Sequence, residues 1–229
     1  MVKDYSNVED FILAKSKRCF CKAVAAAFLS TGLCLSAFPA IAAPASDASS
    51  TVFPQIQKHL REVATMTAHF VQVDRNGQAL DGSLTLKKPG LIRFQYQKDV
   101  PLLVVGDGKA LVMIDYSVRQ VSRWPIGDSP LSILIDPSKD IASYAALTSD
   151  DGKNIVITGH DPKHPDFGTI AINFQRDKSA PAQLMLMGWT VIDAQNNRSQ
   201  IILSEQKFNQ PVSNNMFRWN DPRGNNGPR

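Results

Sequence analysis

The residues best suited to chemistry in this sequence lie in His160-Asp-Pro-Lys-His164-Pro-Asp166, two histidines four apart with aspartates beside them. On one face of a helix that spacing can hold zinc. Pro162 stands between the histidines and Pro165 follows. A proline inside a helix removes a hydrogen bond and clashes with the preceding turn, so the helix that would align the pair is disfavoured. A hydrophilic loop between two strands is the expectation. A serine hydrolase of the elbow type needs Gly-x-Ser-x-Gly, which the chain lacks. Asp107, Asp115, Asp128, Asp151, Asp177 and Asp193 sit mostly beside Gly, Asn or Lys, where turn formation explains them. There is no glycine-rich phosphate loop and no dinucleotide fingerprint. No cofactor, no metal and no enzyme activity are expected.

The three cysteines, Cys19, Cys21 and Cys34, all lie near the start, so the rest of the chain can form neither a disulfide nor a thiolate site. Arg93-Phe94-Gln-Tyr96 and Arg123-Trp124 pair bases with rings as a nucleic-acid binder would. The charge argues otherwise. The 229 residues carry 25 Lys+Arg against 21 Asp+Glu. Residues 1–42 hold five of the basic and three of the acidic side chains, which leaves 20 against 18. A binder driven by phosphate neutralisation is normally more basic, and no nucleic-acid partner is expected. What stands out is apolar mass without a catalyst. Leu184-Met-Leu-Met187-Gly-Trp189 and Leu111-Val-Met-Ile114 are rich in flexible apolar side chains, which suit an adaptable cavity.

The segments that must position these residues begin with a targeting sequence. Basic Lys15-Ser-Lys-Arg18 precedes a mostly small and apolar stretch from Ala23, which closes on Ala40-Ile-Ala42. This is the pattern of a cleaved secretory signal over residues 1–42. Leu33 before Cys34 argues against lipidation there. The reading is an exported protein with a flexible segment at 43–50, a folded domain at 51–222 and a disordered tail at 223–229.

Phe53, Ile56, Leu60 and Val63 fall at helical spacing and predict an amphipathic helix over 53–66. From residue 67 the period changes to two, and strands follow at short intervals. Leu84 and Leu86 share one face. Ile92, Phe94 and Tyr96 share a face opposite Leu91, Arg93 and Gln95. Further strands are expected at 101–105, 111–114, 118–124, 154–158, 169–175, 183–193, 199–208 and 217–219. Between them, 130–135 and 141–147 read as short helices separated by Asp136-Pro137. Many short strands in one run predict a mainly β fold (α+β), an incomplete antiparallel β-barrel. Its concave apolar face needs cover, and the short helices are what the chain has to form a lid over an apolar cavity.

The ordered series Phe70-Val-Gln72, Gly82-Ser-Leu-Thr-Leu-Lys-Lys-Pro-Gly90, Arg93-Phe-Gln-Tyr96 and Val105-Gly-Asp-Gly108 resembles the LolA family of periplasmic carriers of outer-membrane lipoproteins. It continues through Asp115-Tyr116, Val121, Pro130-Leu-Ser-Ile-Leu134, Trp189 to Asp193 and Phe217-x-Trp-x-x-Pro222-x-Gly224. The resemblance implies a half-barrel whose helices close over a cavity for lipoprotein acyl chains. It implies a monomer in the periplasm, loaded by an inner-membrane ATP-driven complex and unloaded to an outer-membrane receptor or the outer membrane itself. Lys88 occupies the position where well-studied members carry an arginine that latches the lid. A lysine lacks the planar fork of that arginine. Ile92 stands where those members carry a phenylalanine important for one-way transfer.

The sequence-level assignment places Leu84, Leu86, Ile92, Phe94, Tyr96, Met113, Leu186 and Trp189 around a lipid-binding cavity. Ile133 and Leu134 belong to the lid, and Lys88 is its latch. A one-residue register error would invert the concave set. At about 0.8 kcal/mol per methylene, three acyl chains of roughly fifteen methylenes would cost on the order of 36 kcal/mol to expose. Non-covalent binding saturates near about −20 kcal/mol, which is why an energy-consuming loader is implied. The alternative is a sensor or interaction domain of the same fold that binds another lipid or a membrane-protein partner. An exported hydrolase using a carboxylate pair is the third reading.

Overall fold

The computed structural model describes residues 46–128, 131–160, 168–193 and 195–224. The expected signal sequence, all three cysteines, most of the 160–166 histidine cluster and the end of the tail lie outside the described residues.

The chain enters through helix α1 (Ser46–Glu62). Val52, Ile56 and Leu60, with Val63 just past the helix, are buried at the four-residue spacing that aligns side chains on one helix face. Phe53, expected in that stripe, is half-buried at its margin, and Val52 takes the central place. The helix starts and ends earlier than its apolar spacing predicts. Residues up to 66 keep apolar side chains inward, but Thr65 and Met66 already belong to a strand.

Among the described residues eleven strands follow: β1 (Thr65–Val73), β2 (Ala79–Lys87), β3 (Leu91–Tyr96), β4 (Leu102–Asp107), β5 (Ala110–Asp115), β6 (Gln120–Pro125), β7 (Ala145–Asp150), β8 (Asn154–His160), β9 (Thr169–Arg176), β10 (Leu184–Ile192) and β11 (Arg198–Phe208). They form one open antiparallel sheet in the order β6-β5-β4-β3-β2-β1-β11-β10-β9-β8-β7. Every neighbour is consecutive in the chain except β1 and β11, whose pairing joins the two meanders. The two outermost strands, β6 and β7, are therefore themselves consecutive, and the connection 126–144 passes between them. That connection carries a 3-10 turn (Ile126–Asp128), helix α2 (Ser132–Ile135) and a second 3-10 turn (Ile141–Ser143).

The sheet curves strongly. From β2 to β8 is five strand spacings, about 24 Å on a flat sheet. Yet four-residue α2 reaches both sides. The Ile135 carbonyl accepts from Gly90 N, in the turn after β2, at 3.1 Å. A methyl group at Gly159 of β8 would come within 2.7 Å of Ile133 Cδ1. Residues from α1, α2 and strands on both arms of the sheet consequently share one core.

Alternation assigns the opposite face a smaller core of its own. Leu103, Val105, Val112 and Ile114 point outward and are covered by Phe217 and Trp219. The expected strand 217–219 is not one: Asn214–Phe217 is a 3-10 turn and Arg218 continues in extended backbone. The period of two still brings both rings to one side. Side chains replace strand pairing here, with Arg93 Nη1 donating to the carbonyls of Met216 and Arg218 at 3.1 and 3.0 Å. Lys87 Nζ adds a bond to the Val212 carbonyl at 2.9 Å.

The second expected helix, 141–147, is likewise corrected. Only Ile141–Ser143 is helical, and Ala145–Asp150 is strand β7. The helical preference of Ala145-Ala-Leu147 gives way to pairing with β8, where Ala146 lies opposite Thr158 and Leu147 opposite Ile157.

Candidate functional site

The concave face is built by strand alternation. Leu84 pairs with Phe94 and Leu86 with Ile92 across β2 and β3, so all four point inward with Tyr96. Phe70 of β1 packs edge-on against Phe94 and Tyr96, with ring centroids 5.3 and 5.2 Å apart. Trp189 meets Phe94 edge-on at 6.2 Å. These geometries suit the ring quadrupoles and fix the rings firmly. Tyr96 donates its hydroxyl to Gln72 Oε1, and burial pushes that hydroxyl up to about 12.

Leu186 and Trp189 are three apart, which strict alternation would send to opposite faces. Both are buried in the main core. The ladder to β9 slips between Leu186 and Gly188, leaving Met187 as an extra residue, and the bulge restores Trp189 to the concave side. Met113 lies on the same face as its cross-strand partner Val104 but is only half-buried, one strand in from the β6 edge. Ile133 and Leu134 of α2 are buried in the main core.

Between α1, α2 and the sheet remains a pocket of about 20 Å³. This is room for about one water molecule. Its walls include Leu60, Leu84, Leu86, Ile92, Leu186 and Trp189. The expected hollow is therefore nearly closed: the apolar faces of α1 and α2 occupy the space that the curved sheet encloses.

Polar side chains fasten α1 over that face. Lys88 Nζ donates to the Leu60 carbonyl in the last turn of the helix. Burial brings the Lys88 ammonium down to about 8. On the opposite flank, Gln55 Nε2 donates to the Ala182 carbonyl at 3.0 Å and His59 Nδ1 to the Pro181 carbonyl at 2.9 Å. Ala182 N donates to Glu62 Oε2 at 2.8 Å. A carbonyl can only accept, so His59 carries its proton on Nδ1. His59 is 2% exposed and lies edge-on to Phe174 and Phe208. Burial lowers its pKa, as does the Lys88 charge, while the Pro181 bond and Glu62 act in the other direction. Gln57 joins the two covering pieces, accepting from Ile141 N at 3.0 Å and donating to the Pro137 carbonyl at 3.4 Å.

Sequence reasoning passed over Gln55, His59 and Glu62. Their signal was present as a polar row at helical spacing beside the apolar one.

Among the described residues no group of three or more His, Cys, Asp and Glu side chains could hold a metal ion. Among the described residues, those polar residues buried as a whole are His59, Thr85 and Ser132. Ser204, His69 and Asp81 do line up across β11, β1 and β2, with His69 Nε2 3.1 Å from Asp81 Oδ2. The row lies on the outer face, and Ser204 Oγ is 3.5 Å from His69 Nδ1, long for activating a hydroxyl. What the inner arrangement offers is a wide apolar surface under cover of α1 and α2.

The family model described as outer membrane lipoprotein carrier protein LolA matches residues 61–220. An outer-membrane lipoprotein carrier protein of Chromobacterium violaceum is 26% identical over 189 residues, covering 79% of this chain and 88% of its own length. One from Legionella pneumophila is 25% identical over 190 residues, with 77% and 89% covered. Among solved structures, a LolA superfamily protein from Nitrosomonas europaea aligns with a TM-score of 0.40 at 11% identity, covering 73% of this chain and 96% of the other.

Proposed function

The chain belongs to the LolA family of outer-membrane lipoprotein carriers, and on that premise we propose that it carries lipoprotein acyl chains through the periplasm, sheltered against its concave face. Residues 1–42 serve as the export signal. Leu84, Leu86, Ile92, Phe94, Tyr96, Met113, Leu186 and Trp189 take up the chains, Ile133 and Leu134 cover them, and Lys88 holds the lid shut. An inner-membrane ATP-driven complex loads the cargo and an outer-membrane receptor accepts it.

The observation that carries this reading is an apolar concave face covered by a helix that is held at its edges by a few releasable hydrogen bonds. The small volume beneath it reflects how closely that helix packs on the face. Val52, Ile56, Leu60 and Val63 contribute about 1.5–3 kcal/mol each by burial, on the order of 6–12 kcal/mol together. An acyl chain of about fifteen methylenes offers about 12 kcal/mol when buried. Cargo can therefore stand in for the lid against the sheet at little net change, whereas water cannot.

The test is displacement of a fluorescent fatty-acyl probe, followed by transfer of an acylated lipoprotein between vesicles. Saturable binding that Phe94→Glu abolishes is expected. No saturable binding, or a Phe94→Glu protein that behaves like the parent, would remove the reading. Binding without transfer would favour an interaction domain instead.

A further inference from the structure

Lys88 is unlike everything else in the pocket beneath α1. The other residues lining it are apolar apart from His59, whose pKa is lowered by burial. Among the described residues no carboxylate pairs with Lys88. Its hydrogen-bond acceptor is the Leu60 carbonyl, which belongs to the lid helix itself. An ammonium has three protons to donate and is costly to keep in apolar surroundings without an oxygen facing it.

Opening α1 therefore takes away the partner of Lys88 at the moment the apolar face becomes available. A plain hydrocarbon entering the space would leave the ammonium with nothing to donate to. A fatty acyl chain brings a carbonyl oxygen at its head. From Lys88 the apolar side chains Ile92, Phe94 and Tyr96 run on along β3 for about 13 Å, a ready track for the tail. We propose that Lys88 exchanges the Leu60 carbonyl for the acyl oxygen of the cargo, so that this site selects chains headed by a carbonyl or carboxylate and sets how deep they lie. One side chain would then hold the lid when the site is empty and the cargo when it is full. The inference rests on the carrier reading and deepens it by naming the chemistry recognised.

Chain-matched ligands separate this from simple greasiness. The purified protein is titrated with 1-palmitoylglycerol and with its hexadecyl ether analogue, which differ only in the carbonyl, and in parallel with palmitate and hexadecanol. A bond to a charged donor is expected to favour the ester over the ether about tenfold. Lys88→Met should bring that ratio to about one, and Lys88→Arg should keep it. Loosening of the lid by either substitution moves ester and ether together and cancels in the ratio. Preference for the ester identifies acylglycerol as the recognised source, and preference for palmitate alone identifies a free fatty acid; each supports the proposal. Equal affinities within both pairs in the parent protein, or a preference that Lys88→Met leaves unchanged, overturns it. Failure of all four ligands to bind would instead sink the carrier reading.

Discussion

Leu186 and Trp189 face the same side of one strand although three residues separate them, because Met187 is an extra residue in the ladder. The bulge depends on Gly188, whose φ of 140° is in the range that side chains rarely adopt. A Cβ there would stand 2.0 Å from the Ile201 carbonyl oxygen, which is backbone and cannot swing away. Gly188→Ala should destabilise the protein by about 3 kcal/mol or more in urea unfolding, with Trp189 emission shifted to the red. A variant that unfolds at the parent's midpoint would show that the bulge is not needed.

Lys88, under α1, should make stability rise with pH in the alkaline range. Its folded value is about 8 against an ordinary 10.5. Between these the unfolded chain holds a proton that the folded one has shed, so folding gains as pH increases. Below about 8 both states are protonated and the burial penalty is present in full. The shift corresponds to roughly 3 kcal/mol across the whole window. Tyr96, raised to about 12, opposes the trend above 10. Denaturant unfolding at pH 7.5 and 9.5 should show a gain in the parent and a flatter response in Lys88→Met; parallel responses would count against the assignment.

His59 should act at the acid end. Its folded pKa lies below the ordinary 6.5, chiefly because it is buried, with Lys88 acting in the same direction. As pH falls below 6.5 the unfolded chain takes up a proton that the closed state resists, so stability drops through that window. His59→Gln keeps a donor for the Pro181 carbonyl and cannot become charged. Its stability should fall less than the parent's between pH 7 and 5, and an NMR titration of His59 giving a value at or above 6.5 would contradict the prediction.

Arg93 works on the other side of the sheet from the pocket. Arg93→Met removes its bonds to the Met216 and Arg218 carbonyls and should loosen the segment that places Phe217 and Trp219 on the outer core. A loss of about 1–3 kcal/mol and faster tryptic cleavage after Arg218 are expected, with acyl-probe affinity unchanged. A change in affinity comparable to that of Phe94→Glu would mean the two faces are coupled.

Much of the concave face was legible from residue types alone. Leu84 and Leu86, and Ile92, Phe94 and Tyr96, alternate cleanly because each strand has one covered face, and that forces the register. The motif order gave the family. What resisted reading was decided by contacts distant in sequence. Ala145–Asp150 looks helical by composition and becomes an edge strand only because β8 is beside it. The rings of Phe217 and Trp219 mimic a strand whose backbone partner is an arginine side chain. Apolar patterning also cannot distinguish a hollow from a filled interior, since the same side chains line either one.

The two rims of the sheet, β6 and β7, are joined directly by the stretch 126–144 that roofs the concavity, and α1 enters from the middle strand. Neither roof piece forms part of the ladder of strands. On the carrier role proposed above, admitting a guest would peel away these covering pieces while the ten strand pairings stay zipped. Such a carrier would gape and shut repeatedly without any unfolding of its frame.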